Sequence, residues 1–468
     1  MKTGPNGPKK SHSPWLYQLD KGRPHTTLTK DIEIDVAIVG AGIAGLSTAF
    51  FILKNTDKKV ALLERFKMAH GATGHNAGQV VSYFERGFAS LVDEFGLELA
   101  SEGQKAIEDA WELLYEMYTD AGLDIPFTRF LGHAGLSGVD QVLLHLKNNS
   151  LRVKGGLNPE QMLISETTDF LNEIPEEYKN LYAIAPQEKI LTMLETDVTD
   201  FVAVLSYQKG CVNSALFCEG ILLYLLKKYP DRFVLYEHTP VNKIILHDSD
   251  ALIDGGKYTV TAKRVVLCTN GFESLAIFNK NGLDINTKFH HLVHGTVGYM
   301  SGYLEKMKKP PIAISYLTNP DDSTDDPYFY LTRREYEYEK EKDLSLISIG
   351  GPEAPVEDIK FYSHDNDFPE EMVEKIDEFV RRVHSPEKKI DYIFTWHGLM
   401  GYTKNGVRLV GPEPKNSLLM YNLGCNGVGI LPSIYGGQRI ADFISGKISE
   451  KNSADSSRSI FDVPKEYE

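Results

Sequence analysis

The chain has 468 residues, 42% hydrophobic and 25% charged, which is long enough for two or more domains with a large core. Its formal net charge of −15 argues against nucleic acid or an anionic membrane surface as the main partner, because phosphate binding needs a basic face. The four cysteines, Cys211, Cys218, Cys268 and Cys425, form no CxxC pair, so neither structural zinc nor a disulfide framework is expected, and no metal site is assigned.

Met1 to Lys30 is rich in Lys, Pro and Ser and lacks an apolar core. It reads as an arm laid over the surface or partly disordered, not as a secretory leader. No apolar run is long enough for a transmembrane segment, and the cytoplasm is the expected location. Ile34 to Val39 reads as a buried parallel strand. Gly40-Ala41-Gly42-Ile43-Ala44-Gly45 follows and leads into a helix from Leu46 to Leu53. In such a unit Gly40 permits the tight turn, Gly42 lets backbone approach a pyrophosphate, and Gly45 lets helix and sheet pack closely. The helix N-terminus offers N–H groups and partial positive charge to phosphate. Val60 to Leu63 is the second strand. Glu64, with Arg65 beside it, ends that strand, where its carboxylate can accept from a ribose 2′-OH. An acid there favours FAD or NAD over NADP.

Phe88 to Ala121 has helical spacing, with Leu91, Phe95, Leu99, Ile107, Trp111, Leu114 and Met117 as core contacts. Residues 126 to 204 read as short elements and loops. Asn213-Ser214-Ala215 caps a helix running from Leu216 to Tyr229. Strands are expected at Phe233–Tyr236, Val241–Leu246 and Tyr258–Ala262. Val265 to Cys268, ending in Thr269-Asn270-Gly271, is a second strand-to-turn site where backbone can meet a nucleotide. Between Lys288 and Ile349, Val293–Met300, Ile312–Tyr316, Tyr328–Thr332 and Leu344–Ile349 read as antiparallel strands. Glu335–Lys342 is a solvated hairpin tip. Glu370 to Val383 is an amphipathic helix. The glycine-rich stretch from Tyr392 to Gly446 ends in a helix from Ser433 to Ile444.

Nucleotide-like pieces thus occur at the start, the middle and the C-terminal end, whereas a nicotinamide enzyme would normally complete its Rossmann unit in continuous sequence. Four further stretches fit one pattern: Gly71-Ala72-Thr73-Gly74-His75-Asn76-Ala77-Gly78-Gln79, Asn213 through Val241, Val265 through Gly271, and Trp396-His397-Gly398 with Tyr402-Thr403-Lys404-Asn405-Gly406 and Gly424 through Gly429. Together with Gly40–Gly45 and Glu64 they resemble the FAD-dependent D-amino-acid oxidase superfamily, in particular the branch with glycine oxidase, sarcosine oxidase and gamma-glutamylputrescine oxidase. The resemblance covers nearly all of the chain beyond the N-terminal arm.

It implies an α/β plus α+β fold. A Rossmann-like FAD-binding domain of the glutathione-reductase type (31–85, 205–285 and 396–450) is interleaved with an antiparallel-sheet substrate domain (86–204 and 286–395). An arm (1–30) and a tail (451–468) flank them. It also implies that Ala72, Thr73, Asn76, Ala77, Gly78, Gln79 and Gly398 lie beside the flavin. Val241, Thr269, Asn270 and Gly271 meet the nucleotide, and Gly427, Val428, Gly429 and Ile430 stabilise the negative charge that reduction places on the ring. The implied activity is oxidation of a C–N bond in an amine or amino acid, by hydride transfer to flavin N5, giving an imine that hydrolyses. An amino-acid carboxylate would need a cation, with Arg333 as candidate and Arg86 as another. Tyr330, His75 and Trp396 are candidates for the pocket wall.

Some positions depart from the family pattern. His75 stands within the family's GRN triplet, as flavin contact, substrate-facing group or ordinary loop histidine. Met400 stands where sarcosine oxidase carries its flavin-linking cysteine, so dissociable FAD is expected. Ser348 stands where that enzyme has an oxygen-activating lysine, which leaves oxygen and other electron acceptors both open. A flavin dehydrogenase of a 2-hydroxy acid or glycerol 3-phosphate, and a non-catalytic FAD-binding module, are the alternative readings.

Overall fold

The structure is a computed structural model that describes residues 9–272, 274–317, 329–356, 359, 362–384, 389–449 and 459–466. Its first sheet has nine strands. Ile32–Val39 runs at its centre, parallel to Val60–Leu63 on one side and to Thr259–Leu267 on the other. Phe233–Tyr236 extends the parallel set beyond Val60–Leu63, and Leu419–Leu423 pairs in parallel with Thr259–Leu267. Covered strands of this kind read as continuous apolar runs, and Val60–Leu63 is buried throughout. Helices Ile43–Asn55, Ser214–Lys228 and Ile430–Ser445 supply much of the cover. The first and last cross closely because Gly437 has no side chain: a Cβ there would lie 2.7 Å from the Ser47 and Thr48 backbone.

The second sheet has ten strands and is largely antiparallel. Val293–Lys306 pairs with both Phe394–Thr403 and Glu341–Pro355, and Phe329–Tyr338 continues the order. Two pairings are parallel, contrary to expectation: Ile312–Leu317 with Phe127–Leu136, and Gln161–Ser165 with Ala183–Ala185. The expected charged hairpin is present with a shorter tip. Glu335 to Tyr338 lie in the strand, and Glu339 and Lys340 make the turn at φ 49° and 71°. Ala203–Val212 and Phe394–Thr403 belong to this sheet, so domain boundaries at 205 and 396 fall inside its strands.

Several elements differ from their sequence reading for identifiable reasons. The first helix starts at Ile43, directly after Gly42, and not at Leu46. The long helix is two, Phe88–Phe95 and Leu97–Ala121, because Gly96 adopts φ 81°. The runs at Tyr258 and Val265 are one strand. Helix Val139–Lys154 went unread because part of its buried face is polar: Gln141, Asn148, Asn149 and Arg152 point inward.

The N-terminal segment is anchored near its start, and most of residues 20–30 then lie exposed on the surface. Trp15, in the short helix Pro14–Tyr17, is fully buried; Tyr336 Oη donates to Pro14 O at 2.6 Å, and the Arg334 guanidinium lies 5.2 Å from the indole. In the expected tail, Ile460 and Phe461 are buried and Val410 N donates to Phe461 O at 2.8 Å. Residues 1–8, 451–458 and 467–468, and Tyr328 of a predicted strand, lie outside the described residues. Among the described residues no helix is long and apolar enough to cross a membrane.

Candidate functional site

A cavity of about 450 Å³ runs from the C-terminal ends of the parallel strands to the face of the second sheet. At its first end, Gly40 turns out of strand Ile32–Val39 at φ 102°. Gly45 has no room for a Cβ, which would overlap the Gly40 carbonyl oxygen. The following helix has no side-chain N-cap within its own sequence, and Ile43 N donates instead to Thr73 Oγ1 at 3.0 Å. Gly42, Ile43 and Ala44 nevertheless line the cavity, so the remaining N–H groups of this first turn are placed where an anion could be met. Glu64 closes the second strand and accepts from Ala41 N at 2.9 Å and Phe66 N at 3.0 Å. Burial pushes its carboxyl above the ordinary range, against the pull of those N–H groups. A carboxylate has about four acceptor positions, so Glu64 retains capacity for hydroxyl donors. Two buried polar atoms on the wall, Thr269 Oγ1 and Gln79 Nε2, have no partner among the described residues.

The middle of the cavity is shaped by the loop from Gly71 to Gln79. Asn76 holds it: Nδ2 donates to Thr73 O and to Ser214 Oγ, both at 2.9 Å, and Oδ1 accepts from Gly78 N at 2.8 Å. The Asn76 carbonyl accepts from two indoles, Trp15 Nε1 and Trp396 Nε1. His75 is buried, with Nδ1 2.9 Å from Gly71 O; that carbonyl can only accept, so Nδ1 carries the proton. Burial lowers its pKa to about 3, and the ring is neutral at physiological pH. Opposite, Asn426 and Gly427 take φ 47° and 74° at the entrance to helix Ile430–Ser445. Asn426 Oδ1 accepts from Thr403 N at 2.8 Å and ties this turn to the strand carrying Gly398 and Met400. Small side chains, a helix entrance and polar atoms awaiting partners fit an elongated nucleotide cofactor with a planar head.

The far end has a different character. Tyr83, Glu85, Tyr330, Glu353 and Tyr402 line it. Tyr330 occupies space that Gly350 leaves on the adjacent strand. A Cβ on Gly427 would lie 3.2 Å from Tyr402 Oη and 3.3 Å from the Glu85 carboxyl, so the acid end adjoins the C-terminal glycine turn. Burial first, then Glu353 and Glu85, pushes the Tyr330 and Tyr402 hydroxyls above their usual range.

Of the residues expected at the cofactor, all line this cavity except Gly45, Gly78 and Gly271. Those three are packing glycines: a Cβ on Gly78 would lie 2.7 Å from Trp15, and one on Gly271 2.5 Å from Val293. Of the expected reaction-site residues, His75 and Tyr330 line the cavity, and Arg333, Ser348 and Trp396 do not. Arg333 makes a two-point ion pair with Glu195, at 2.7 and 2.8 Å, away from the cavity lining, and so does not face a substrate carboxylate there. Arg86 likewise pairs with Glu94 at 2.6 Å. Ser348 is fully buried opposite Thr332 and Gly302. The next same-face pair in the register is Gly350 and Tyr330, of which Tyr330 lines the cavity. Trp396 acts on the loop through Asn76. Sequence reasoning missed Tyr83, Glu85, Ser315 and Glu353. Tyr83 and Glu85 follow the Gly71–Gln79 loop directly, and that adjacency was the available signal.

The family model of FAD dependent oxidoreductases, DAO, matches residues 35–443. Gamma-glutamylputrescine oxidoreductase of Escherichia coli K12 is 35% identical over 86 residues, 18% of this chain and 20% of that protein. The chain thus matches about a fifth of that curated relative's length. Glycine oxidase from Geobacillus kaustophilus has a TM-score of 0.64 at 18% identity, over 93% of this chain and 100% of that one. L-Proline dehydrogenase from P. horikoshii has a TM-score of 0.64 at 14% identity, over 92% and 96%. At these identities the solved structures establish a shared fold.

Proposed function

The chain belongs to the DAO family of FAD dependent oxidoreductases, and on that footing we propose that it oxidises the C–N bond of a cationic amine that carries no α-carboxylate. FAD, when bound, supplies the two-electron acceptor. Gly40, Gly42 and Glu64 would hold its ADP end, and Ala72–Gln79 with Gly427–Ile430 its ring. With Met400 at the position of the linking cysteine, the cofactor is held without a covalent bond.

The observation that carries this reading is the composition of the far end. Two carboxylates, Glu85 and Glu353, lie among three tyrosine rings, Tyr83, Tyr330 and Tyr402. Acids and aromatic faces together attract an ammonium group. A 2-hydroxy acid or an amino-acid carboxylate would face like charge there, and Arg333 and Arg86 are committed to Glu195 and Glu94. The cavity arginines are elsewhere: Arg65 follows Glu64, and Arg408 donates to Asn422 O at 2.8 Å and Gly424 O at 3.1 Å. The aromatic walls orient the amine and exclude water while the carbon bearing nitrogen loses hydride. The imine released then hydrolyses in water.

The test is anaerobic titration of the yellow protein with amines, α-amino acids and 2-hydroxy acids. Amines are expected to bleach the flavin; bleaching by α-amino acids or hydroxy acids but not by amines overturns the proposal. Glu85→Gln is expected to raise KM for the amine about 10- to 100-fold, the value of one charge-assisted hydrogen bond. Readmission of oxygen then tells oxidase from dehydrogenase.

A further inference from the structure

Behind the acid end lies a lysine that the reaction as described leaves unused. Lys209 sits within strand Ala203–Val212 and is fully buried. Its side chain crosses the neighbouring strand Phe127–Leu136 and reaches Ile312–Leu317, where Nζ and Ser315 Oγ are 3.1 Å apart. The crossing is possible because Gly132 stands in its path: a Cβ there would overlap Lys209 Cδ. Ser315 lines the cavity. The arrangement is a buried amine whose hydrogen-bonded hydroxyl opens onto the substrate end.

The groups facing Lys209 come from several elements. Tyr207, on its own strand, places its ring 5.0 Å from Nζ. His133 on strand Phe127–Leu136 is lowered to about 4 by burial and by Lys209 itself. Glu85 and Glu160 act on Lys209 through space. Burial draws the lysine down to about 7, against the opposing pull of these two acids. Near neutrality it can therefore take up or release a proton.

We infer that Lys209 removes the proton from the substrate ammonium by way of Ser315. This rests on the amine reading above. An ammonium cannot give up hydride from its carbon until its nitrogen lone pair is free. Ser315 Oγ accepts one N–H proton from the substrate as its own O–H proton passes to the lone pair of neutral Lys209. The substrate becomes a free amine and Lys209 an ammonium. Charge is conserved, and the proton leaves by the reverse path after product release. Ser315 is the group that meets substrate; Lys209 acts through it.

The experiment is anaerobic stopped-flow reduction of the flavin-loaded protein by an amine that bleaches wild type, followed from pH 6 to 10. In wild type the rate rises through an acid limb near neutrality. In Lys209→Met that limb moves up toward the ordinary amine range, near 10. Reduction at pH 7 falls about 100-fold, typical of a lost acid–base partner, and recovers within a few-fold by pH 10. Ser315→Ala, which keeps the lysine, is expected to shift the limb in the same direction. It also carries the test alone if Lys209→Met fails to fold. A limb that does not move, or a loss equal at every pH, overturns the relay and leaves the amine reading standing. If no amine bleaches wild type, both fall.

Discussion

At the residue scale, the site contains two buried bases whose ordinary values lie well above their values here. His75 is lowered to about 3 and Lys209 to about 7. For each, the unfolded chain binds more protons between the two values, so stability rises with pH across that window. For Lys209 the window runs from about 7 to the ordinary 10.5. The melting midpoint of wild type relative to Lys209→Met is expected to climb with pH over that range and to be flat below it; thermal melts of both proteins in matched buffers check this. For His75 the window is from 6.5 down to about 3, and His75→Gln should lessen the loss of stability as pH falls through it. His75 does not titrate near neutrality, so the same variant should leave any limb near pH 7 in place. Neither shift was legible in the sequence, because both arise from burial. The Lys209 environment also depends on Gly132, 77 positions away by the numbering.

At the scale of single elements, legibility followed chemistry. Segments with a glycine motif, a cap or a clean apolar run were placed to within a few residues: Asn213 caps helix Ser214–Lys228 through Ala215 N and Leu216 N, as its position suggested. Helix Val139–Lys154 escaped because its buried polar groups serve other segments. Asn149 pairs with the Glu160 backbone, and Asn148 accepts from Ala89 N at 2.8 Å. Strand register was out of reach from one sequence, and register is what separates Tyr330 at the cavity from Ser348 in the sheet. The opening glycine motif supports a prediction of its own. In Gly45→Ala the added methyl would overlap the Gly40 carbonyl oxygen, forcing helix Ile43–Asn55 away from the turn. A cost of about 1–3 kcal/mol in unfolding free energy is expected, with weakened FAD binding. Denaturant titration and flavin retention on gel filtration measure the two effects. Loss of stability with full FAD affinity would show that the turn tolerates the shift.

At the scale of the whole molecule, the two sheets meet along the cavity, and the chain passes between them several times. The interleaving was legible because the cofactor motifs recur along the sequence; the exact crossing points were not, since Ala203–Val212 and Phe394–Thr403 continue without a break in pattern. The role of the N-terminal segment was also hidden. Only its neighbours give Trp15 a purpose. Trp15→Ala is expected to destabilise the protein by about 3–5 kcal/mol, as for other fully buried aromatic residues, and to loosen the Gly71–Gln79 loop. Loss of stability is read from unfolding, and loosening from faster FAD release. If the cofactor is held without a covalent bond, acid precipitation should leave the yellow colour in the supernatant.

The pair of indoles on the Asn76 carbonyl has an optical consequence. The chain contains three tryptophans, and two of them, Trp15 and Trp396, grip the loop on which the flavin ring would rest. Their emission overlaps flavin absorption, so loading the protein with FAD should quench most of its intrinsic fluorescence, and Trp111 should supply most of what remains. The molecule thus has a built-in optical gauge of cofactor occupancy, half of it contributed by a residue near the beginning of the chain.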